Sequence, residues 1–195
     1  MEKVASSNLA GPTMNRIIAL VGMPGSGKSE VAQLFEASGF AKIRFGDVTE
    51  EEIKKRGLEV NEINERLVRE ELRSTHGMEA YAKLNLPKIE KSLKKSNVIV
   101  DGMYSMEEYV YLKSRLGKNM FVVAVYASPE TRYDRLGKRK MRPLTREQSE
   151  SRDISELKNL NKGGPIALAD FTITNEGPLT DLKRNVEKIL EISEE

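Results

Sequence analysis

The chain has 195 residues, 38% of them hydrophobic, so it is long enough to bury one ordinary core. Its 32 lysines and arginines nearly cancel its 30 aspartates and glutamates, and a net charge of +2 excludes a sequence-blind nucleic-acid coat, which needs a gross positive excess. It has no cysteine and one histidine, His76, which excludes disulfides, thiolate zinc sites, cysteine nucleophiles and multi-histidine metal sites. We interpret His76 as a surface residue.

The hydropathy pattern contains no segment of membrane-spanning length. The longest apolar runs, residues 17–21 and 121–127, fall well short of the roughly 20 residues that span a bilayer, and no secretory signal is visible. We therefore expect a cytoplasmic protein that has no membrane partner and is a monomer or a homodimer.

The predicted elements alternate between strand and helix after an unpatterned leader. Residues 1–13 are small, polar and without periodicity, so we assign them to a disordered leader or a cloning remnant, and residues 14–195 to a single domain. Apolar runs predict five strands, at residues 16–21, 41–45, 97–101, 120–127 and 171–174. Helical patterns follow at residues 30–38, 105–116, 149–160 and 179–192, and another helix opens at Pro129.

Two segments are longer than simple crossovers between strands. Residues 47–96 form a charged helical stretch with predicted breaks near Gly57, at Gly77 and around Pro87, and residues 129–164 end in a breaker cluster at 161–164. Strands separated by helices predict an α/β fold, with a five-stranded parallel sheet and helices on both faces. In such folds long excursions tend to cover the ligand cleft.

The strongest motif is a phosphate-binding loop at residues 22–29, Gly-Met-Pro-Gly-Ser-Gly-Lys-Ser, which fits the pattern G-x-x-x-x-G-K-[ST] in full. Its glycines let backbone N–H groups converge on an anion, and the helix that follows adds its positive N-terminal end. Lys28 would reach the β- and γ-phosphates, and the hydroxyl of Ser29 would serve Mg²⁺. The strand before it and the helix after it supply the required context.

Two further features suit phosphate chemistry. Asp101 ends an apolar run, and a carboxylate at the carboxyl edge of a parallel strand can hold Mg²⁺ through water or polarise an acceptor hydroxyl. The alternative is an ordinary aspartate that turns with Gly102. Residues 130–146 carry seven basic and two acidic side chains, and guanidinium groups stabilise the charge of phosphoryl transfer. The alternative for this cluster is a solvated helix face.

Several motifs in order resemble an archaeal family of adenylate-kinase-related P-loop nucleotide kinases, within the group of adenylate kinase and dephospho-coenzyme A kinase. They are VGMPGSGKSE at residues 21–30, GDV at 46–48, VDG at 100–102, ASPETRYDRL at 127–136, ALAD at 167–170 and NEG at 175–177. The similarity covers nearly everything after Met14. It implies a three-layer P-loop kinase fold with a helical acceptor-side region at residues 47–96 and a short lid region at residues 139–163.

The resemblance also implies ATP as donor, Mg²⁺ as metal, a nucleotide-like acceptor and a role for each matching residue. Arg135 and Arg139 would begin the lid, Arg142 and Arg152 would approach the transferred phosphate, and the loop at residues 175–178 would line the adenine pocket. The implied catalytic residues are Lys28, Asp101, Arg139, Arg142 and Arg152. The implied nucleotide-binding residues are Gly22, Pro24, Gly25, Ser26, Gly27, Lys28, Ser29, Glu30, Arg135, Asn175 and Gly177. Asp47 and Gly102 would lie on the acceptor side, and Mg²⁺ would be held by Ser29 and, through water, by Asp101, with Asp47 a further candidate.

Two positions depart from adenylate kinases, which carry an arginine for the AMP phosphate after each of the G-D and D-G steps. This chain has Glu50 at the first position, and Tyr104 and Ser105 at the second. A carboxylate repels a phosphate, so the sequence disfavours AMP as acceptor. The alternative function is an adenylate-kinase-like ATPase that acts as a switch on an RNA–protein or protein partner; nucleic acid is otherwise not expected as a partner. A further possibility is a regulator that binds a nucleotide and catalyses little chemistry. If the protein is a kinase, dephospho-coenzyme A is also a possible acceptor.

Overall fold

The computed structural model describes residues 15–192, so the predicted leader at residues 1–13 lies outside the described residues. The five strands are β1 (Ile17–Val21), β2 (Ala41–Arg44), β3 (Val98–Asp101), β4 (Met120–Tyr126) and β5 (Phe171–Thr174). The helices within this range are α1 (Lys28–Ala37), α2 (Asp47–Lys55), α3 (Glu62–His76), α4 (Ala80–Leu93), α5 (Met106–Leu116), α6 (Pro129–Gly137), α7 (Arg146–Leu160), α8 (Gly163–Ala167) and α9 (Leu179–Ile192).

The strands form one parallel sheet in the order β2-β3-β1-β4-β5, which confirms the predicted fold class. In the register Leu20 of β1 pairs with Asp101 of β3, and Val21 pairs with Ala124 of β4. The chain order reverses at β1, which has β3 on one side and β4 on the other. The carboxyl ends beside such a reversal are where α/β sheets bind their ligands.

Helices cover both faces of the sheet because successive residues of each strand point to opposite sides. On one face Ile18, Leu20 and Val123 pack with buried residues of α1 and α9, among them Phe35 and Val186. The other face packs against α2 to α5. Its buried residues include Ile17, Ala19, Val100, Ile53, Val68, Ile89 and Leu112. The result is a three-layer arrangement with a core on each side of the sheet.

The structure corrects three details of the predicted helices. Helix α4 runs through Pro87, where a break was predicted, because the burial of its apolar face, including Ile89, outweighs one lost backbone hydrogen bond. Helix α7 begins at Arg146, earlier than predicted, where Thr145 and Gln148 form a capping box. The predicted breaker cluster contains the start of the five-residue helix α8, too short for its periodicity to show in the sequence.

No helix within residues 15–192 is long and apolar enough to cross a membrane.

Candidate functional site

The phosphate-binding loop connects β1 to α1 at the carboxyl edge of the sheet, and two of its glycines hold positions that no other residue fits. Gly22 has φ +143°, and a Cβ there would lie 2.3 Å from the carbonyl oxygen of Val125. Gly27 has φ +96°, and a Cβ there would lie 2.1 Å from Nδ2 of Asn175. Gly27 is also the N-cap of α1 and has no side chain to cap it. The N–H of Glu30 donates to the carbonyl oxygen of Gly27, and the N–H groups before it at the start of α1 are available to an anion.

Lys28 lies over this loop as a cation that lacks a strong anionic partner. Its Nζ donates hydrogen bonds to the carbonyl oxygens of Gly22, at 2.8 Å, and Met23, at 3.0 Å. Burial, and after it the nearby charge of Lys162, lowers the pKa of Lys28 to about 7. A polyphosphate against the loop would favour the charged form, since opposite charges at short range stabilise each other. The loop thus fits a phosphate ligand by shape and by charge.

Asp101 faces the same place from the neighbouring strand. Burial raises its pKa, while the charges of Lys28, Lys42 and Arg44 oppose that shift. Ser29 is exposed at the start of α1, with its hydroxyl accessible, and Glu30 is exposed beside it. Lys28, Ser29 and Asp101 therefore lie together at the carboxyl ends of β1 and β3, and their roles stay predictions.

These residues also fit Mg²⁺ as a partner of bound phosphates. Within residues 15–192 no three acidic or histidine side chains converge on a metal site made by protein alone. In nucleotide sites Mg²⁺ takes only one or two protein oxygens and completes its shell with phosphate and water. The hydroxyl of Ser29 and the carboxylate of Asp101 are oxygen donors of that kind, so the donor set present suits Mg²⁺.

The loop after β5 packs on the phosphate-binding loop. Asn175 is 8% exposed, and its Nδ2 donates a hydrogen bond of 2.8 Å to the carbonyl oxygen of Ser26. Next to it Glu176 accepts a 2.5 Å hydrogen bond from the hydroxyl of Thr131 in α6. That hydrogen bond is the largest cause of the lowered pKa of Glu176, and the charge of Arg135, also in α6, adds to it. Nη1 of Arg135 is buried without a hydrogen-bond partner among the described residues. Residues 175–177 and Arg135 thus flank the loop on the side predicted for the base.

Arg132 is a structural link that the sequence did not reveal. It is 4% exposed, and its guanidinium donates to both carboxylate oxygens of Asp153, at 3.0 and 2.6 Å. The same group donates to the carbonyl oxygen of Pro24 at 3.1 Å. Arg132 therefore ties the phosphate-binding loop to α7, the helix of the lid region. The basic cluster signalled phosphate contact, but the charge of this arginine is already satisfied within the protein.

Other members of the basic cluster are neutralised as well. Arg146 pairs with Glu130 at 2.8 Å, and Lys138 pairs with Asp134 at 2.7 Å. Arg142 pairs with Glu62 of α3, at 3.1 Å, rather than lying at the phosphate-binding loop. The remaining contacts of this kind join Arg142 to Glu65, Arg146 to Glu150 and Arg152 to Glu156.

The predicted lid arginines accordingly occupy different places. Arg139 is exposed in the segment between α6 and α7. Arg142 bridges the lid region to the acceptor-side helix α3, and it has the left-handed φ of +51°. The charge of Arg152 acts on the pKa of Lys28, the lysine of the phosphate-binding loop. In this structure only Arg152 of the three shares an electrostatic environment with the loop.

The acceptor side has a small excess of negative charge. Arg44 pairs with Asp47, at 3.1 Å, and with Glu50. One guanidinium therefore stands against two carboxylates, which leaves a single negative charge in this group. On the other side of the crevice the ring of Tyr104 lies against Gly102, with its nearest atom 3.5 Å from where a Cβ would be. That AMP is disfavoured as acceptor stays a prediction.

Comparisons with known proteins agree with this geometry. Residues 18–155 match the model of the family described as AAA domain. The UPF0200 protein of Thermococcus onnurineus is 39% identical over 179 residues, which cover 90% of this chain and 96% of that protein. The solved structure of TT1252 from Thermus thermophilus has a TM-score of 0.64 at 21% identity, over 91% of this chain and 97% of that one. A shikimate kinase from Acinetobacter baumannii in complex with shikimate has a TM-score of 0.60 at 24% identity, over 91% and 94%.

The chain therefore belongs to the AAA domain family, and its archaeal relatives are UPF0200 proteins. The solved structures show the fold, an α/β P-loop kinase fold with a five-stranded parallel sheet. The narrower resemblance to adenylate kinases stays a prediction.

Proposed function

We propose that this protein is an ATP-dependent phosphotransferase that moves the γ-phosphoryl group of ATP to a small acceptor. The observation that carries the proposal is the complete phosphate-binding loop with Lys28 folded over it and Asp101 opposite. The fold shared with kinases supports it. The finer assignments, to ATP, Mg²⁺ and a nucleotide-like acceptor, rest on the motif and on the resemblance described above.

In this proposal the loop and Lys28 bind the β- and γ-phosphates, while Ser29 and Asp101 would hold Mg²⁺. When bound, the metal neutralises part of the phosphate charge. Asp101 also orients the acceptor hydroxyl, whose oxygen bonds to the γ-phosphorus as the bond to the β-phosphate oxygen breaks. The proton of that hydroxyl leaves through Asp101 or water, and ADP is the leaving group.

The acceptor would enter between α2 and the end of β3. The net negative charge of Arg44, Asp47 and Glu50 favours a neutral or weakly charged hydroxyl compound, or a nucleotide held by its base and sugar, over one gripped by its phosphate. The shikimate kinase of similar fold acts on a small molecule, which is compatible with such an acceptor.

The test is ADP release from Mg²⁺ and ATP by the purified protein, with no acceptor and with nucleosides, nucleotides, dephospho-coenzyme A, small hydroxy acids and RNA in turn. We expect one class of small molecule to stimulate release. Lys28→Ala should abolish it, while Lys54→Ala, at an exposed lysine in α2, should not. Turnover that survives Lys28→Ala would contradict the mechanism.

The same assay separates the alternative, an ATPase switch. Release of ADP that no small molecule stimulates, but that RNA or a protein partner raises, would favour the switch over the kinase. If the protein releases no ADP either with small molecules or with RNA or a protein partner, a regulator that only binds nucleotide would be favoured.

A further inference from the structure

Lys162 is a buried lysine beside the candidate phosphate site, and it belongs to none of the sequence motifs described above. It lies between α7 and α8 and is 1% exposed, although lysines are almost never fully buried unless they are paired. Its Nζ pairs with a carboxylate oxygen of Glu156 in α7. The same ammonium lies 4.5 Å from the centroid of the Tyr104 ring. Lys162 thus has one anionic partner and one aromatic partner.

These partners place Lys162 on the wall of the crevice. The Tyr104 ring lies against Gly102, the residue after Asp101, so Lys162 covers the end of β3 from the lid side. Of the charges that act on the pKa of Lys28, that of Lys162 has the largest effect. The ammonium of Lys162 is therefore close to the predicted γ-phosphate contact as well as to the end of β3.

The local charges leave room for an added anion. Three cations, Lys28, Arg152 and Lys162, share the crevice with two carboxylates, Asp101 and Glu156. Glu156 serves two of those cations, since its other oxygen accepts a 2.9 Å hydrogen bond from Arg152. Burial lowers the pKa of both Lys28 and Lys162, and a phosphoryl group beside them would stabilise their charged forms.

A gain in folding stability is a weak explanation for the buried pair of Lys162 and Glu156. Burial lowers the pKa of Lys162, which means that the charged form is costly where it lies. Buried ion pairs are often no more stabilising than apolar side chains of the same volume. An ammonium beside the end of β3 has a use that a methionine would not have, because it could offer charge and hydrogen-bond donors to a ligand there.

We propose that Lys162 binds the γ-phosphoryl group of the nucleoside triphosphate, with Glu156 holding its ammonium in position. The proposal rests on the proposed function, since it assigns a further binding residue to the same site. Its ligand is the terminal phosphate of a triphosphate, and the diphosphate product lacks the group that Lys162 would contact.

The test is calorimetric titration with Mg²⁺ and either ADP or the non-hydrolysable triphosphate AMP-PNP. In Lys162→Met, which keeps the volume and leaves Glu156 paired with Arg152, affinity for AMP-PNP should fall about tenfold or more, and affinity for ADP should change much less. Lys162→Arg should restore part of the loss. Lys158→Met, at an exposed lysine of α7, should change neither affinity. An equal loss for both nucleotides, or no loss for either, overturns the proposal.

A second variant and two controls keep the outcome unambiguous. Glu156→Gln keeps a side-chain oxygen that can accept a hydrogen bond from Lys162, so the ammonium stays in position, but it removes the negative charge that a γ-phosphate must approach. Affinity for AMP-PNP should therefore rise severalfold with little change for ADP, and an unchanged or lower affinity for AMP-PNP counts against the proposal. Thermal melting verifies that each variant is folded. If wild type binds neither nucleotide, the proposed function fails and this proposal with it. If wild type binds AMP-PNP and Lys28→Ala does not, while Lys162→Met binds it normally, only this proposal fails.

Discussion

The link between Arg132 and Asp153 provides the sharpest test of how the lid region is attached to the phosphate-binding loop. The guanidinium makes four hydrogen bonds, two to Asp153, one to the carbonyl oxygen of Pro24 and one of 3.2 Å to that of Ala127. Arg132→Met removes all four. It leaves the Asp153 carboxylate in the interior, with the hydroxyl of Tyr133, at 3.0 Å, as its remaining donor.

Removal of one member of a buried pair leaves an uncompensated charge, and this typically costs about 3–5 kcal/mol in the free energy of unfolding. In a protein of this size each kcal/mol lowers the midpoint of thermal unfolding by about 2–4 °C, so the expected shift is about 6–20 °C. The exposed pair of Arg66 and Glu70, whose side chains are 74% and 64% accessible, serves as the control. Arg66→Met should lower the free energy of unfolding far less, because water and salt screen an exposed pair.

Urea unfolding followed by circular dichroism measures both changes under the same conditions. Adding Asp153→Leu to Arg132→Met should recover most of the lost stability, because an apolar pair of similar volume carries no buried charge. A remainder of about 2 kcal/mol should persist, since the carbonyl oxygens of Pro24 and Ala127 both lose the donor that Arg132 supplied. The reasoning is refuted if Arg132→Met costs no more than Arg66→Met, or if the double variant is as unstable as the single one.

Three other predictions concern a glycine, a buried acid and a lid arginine. Gly27→Ala and Gly39→Ala both introduce left-handed backbone strain of about 1–2 kcal/mol, but of these two only the Cβ at residue 27 would also clash with a neighbour. Thermal melting should therefore show a larger drop in the unfolding midpoint for Gly27→Ala, which should also lose AMP-PNP binding. Equal drops for the two variants would contradict this prediction. Burial raises the pKa of Glu108 from 4.5 to about 7, so between these pH values the folded state holds a proton that the unfolded state releases. The free energy of unfolding should therefore fall as the pH rises from 4.5 to 7. Urea titrations at several pH values should show a smaller fall for Glu108→Gln, and an unchanged fall would contradict the prediction. Arg142→Ala breaks the pairs of an exposed arginine with Glu62 and Glu65 and should alter stability by less than about 1 kcal/mol. The resemblance implies that Arg142 approaches the transferred phosphate, so steady-state kinetics should show turnover falling more than ATP affinity; parallel losses would argue against a role in phosphoryl transfer.

Local patterns accounted for most of the fold. The strands could be predicted from continuous apolar runs, because a strand that is buried on both faces is apolar at successive positions. The helices could be predicted from periodicity, because a helix that is buried on one face is apolar only every three or four residues. Helix α8 and the continuity of α4 through Pro87 were missed. The first is too short to show a period, and the second depends on packing against the sheet rather than on local preference.

The candidate site divides in the same way. The phosphate-binding loop was predictable since its chemistry lies in eight consecutive residues, and Asp101 was predictable from its place at the end of a strand. Glu50 was predicted as a repulsive charge, but the sequence did not show that Arg44 would pair with it. Pairing depends on where the side chains meet in space, which composition does not encode.

The sequence by itself determined the parallel α/β sheet, the phosphate-binding loop and the carboxylate opposite it, because each of these depends on neighbours along the chain. The tertiary structure decided which basic residues have free charge. Arg132 meets Asp153 across 21 residues and Arg142 meets Glu62 across 80, so the basic cluster that suggested a positive lid is largely neutralised. Lys162, from a segment that the sequence marked only as a break between helices, is instead buried at the crevice. Electrostatic energy falls with distance in space, and only the folded chain sets those distances.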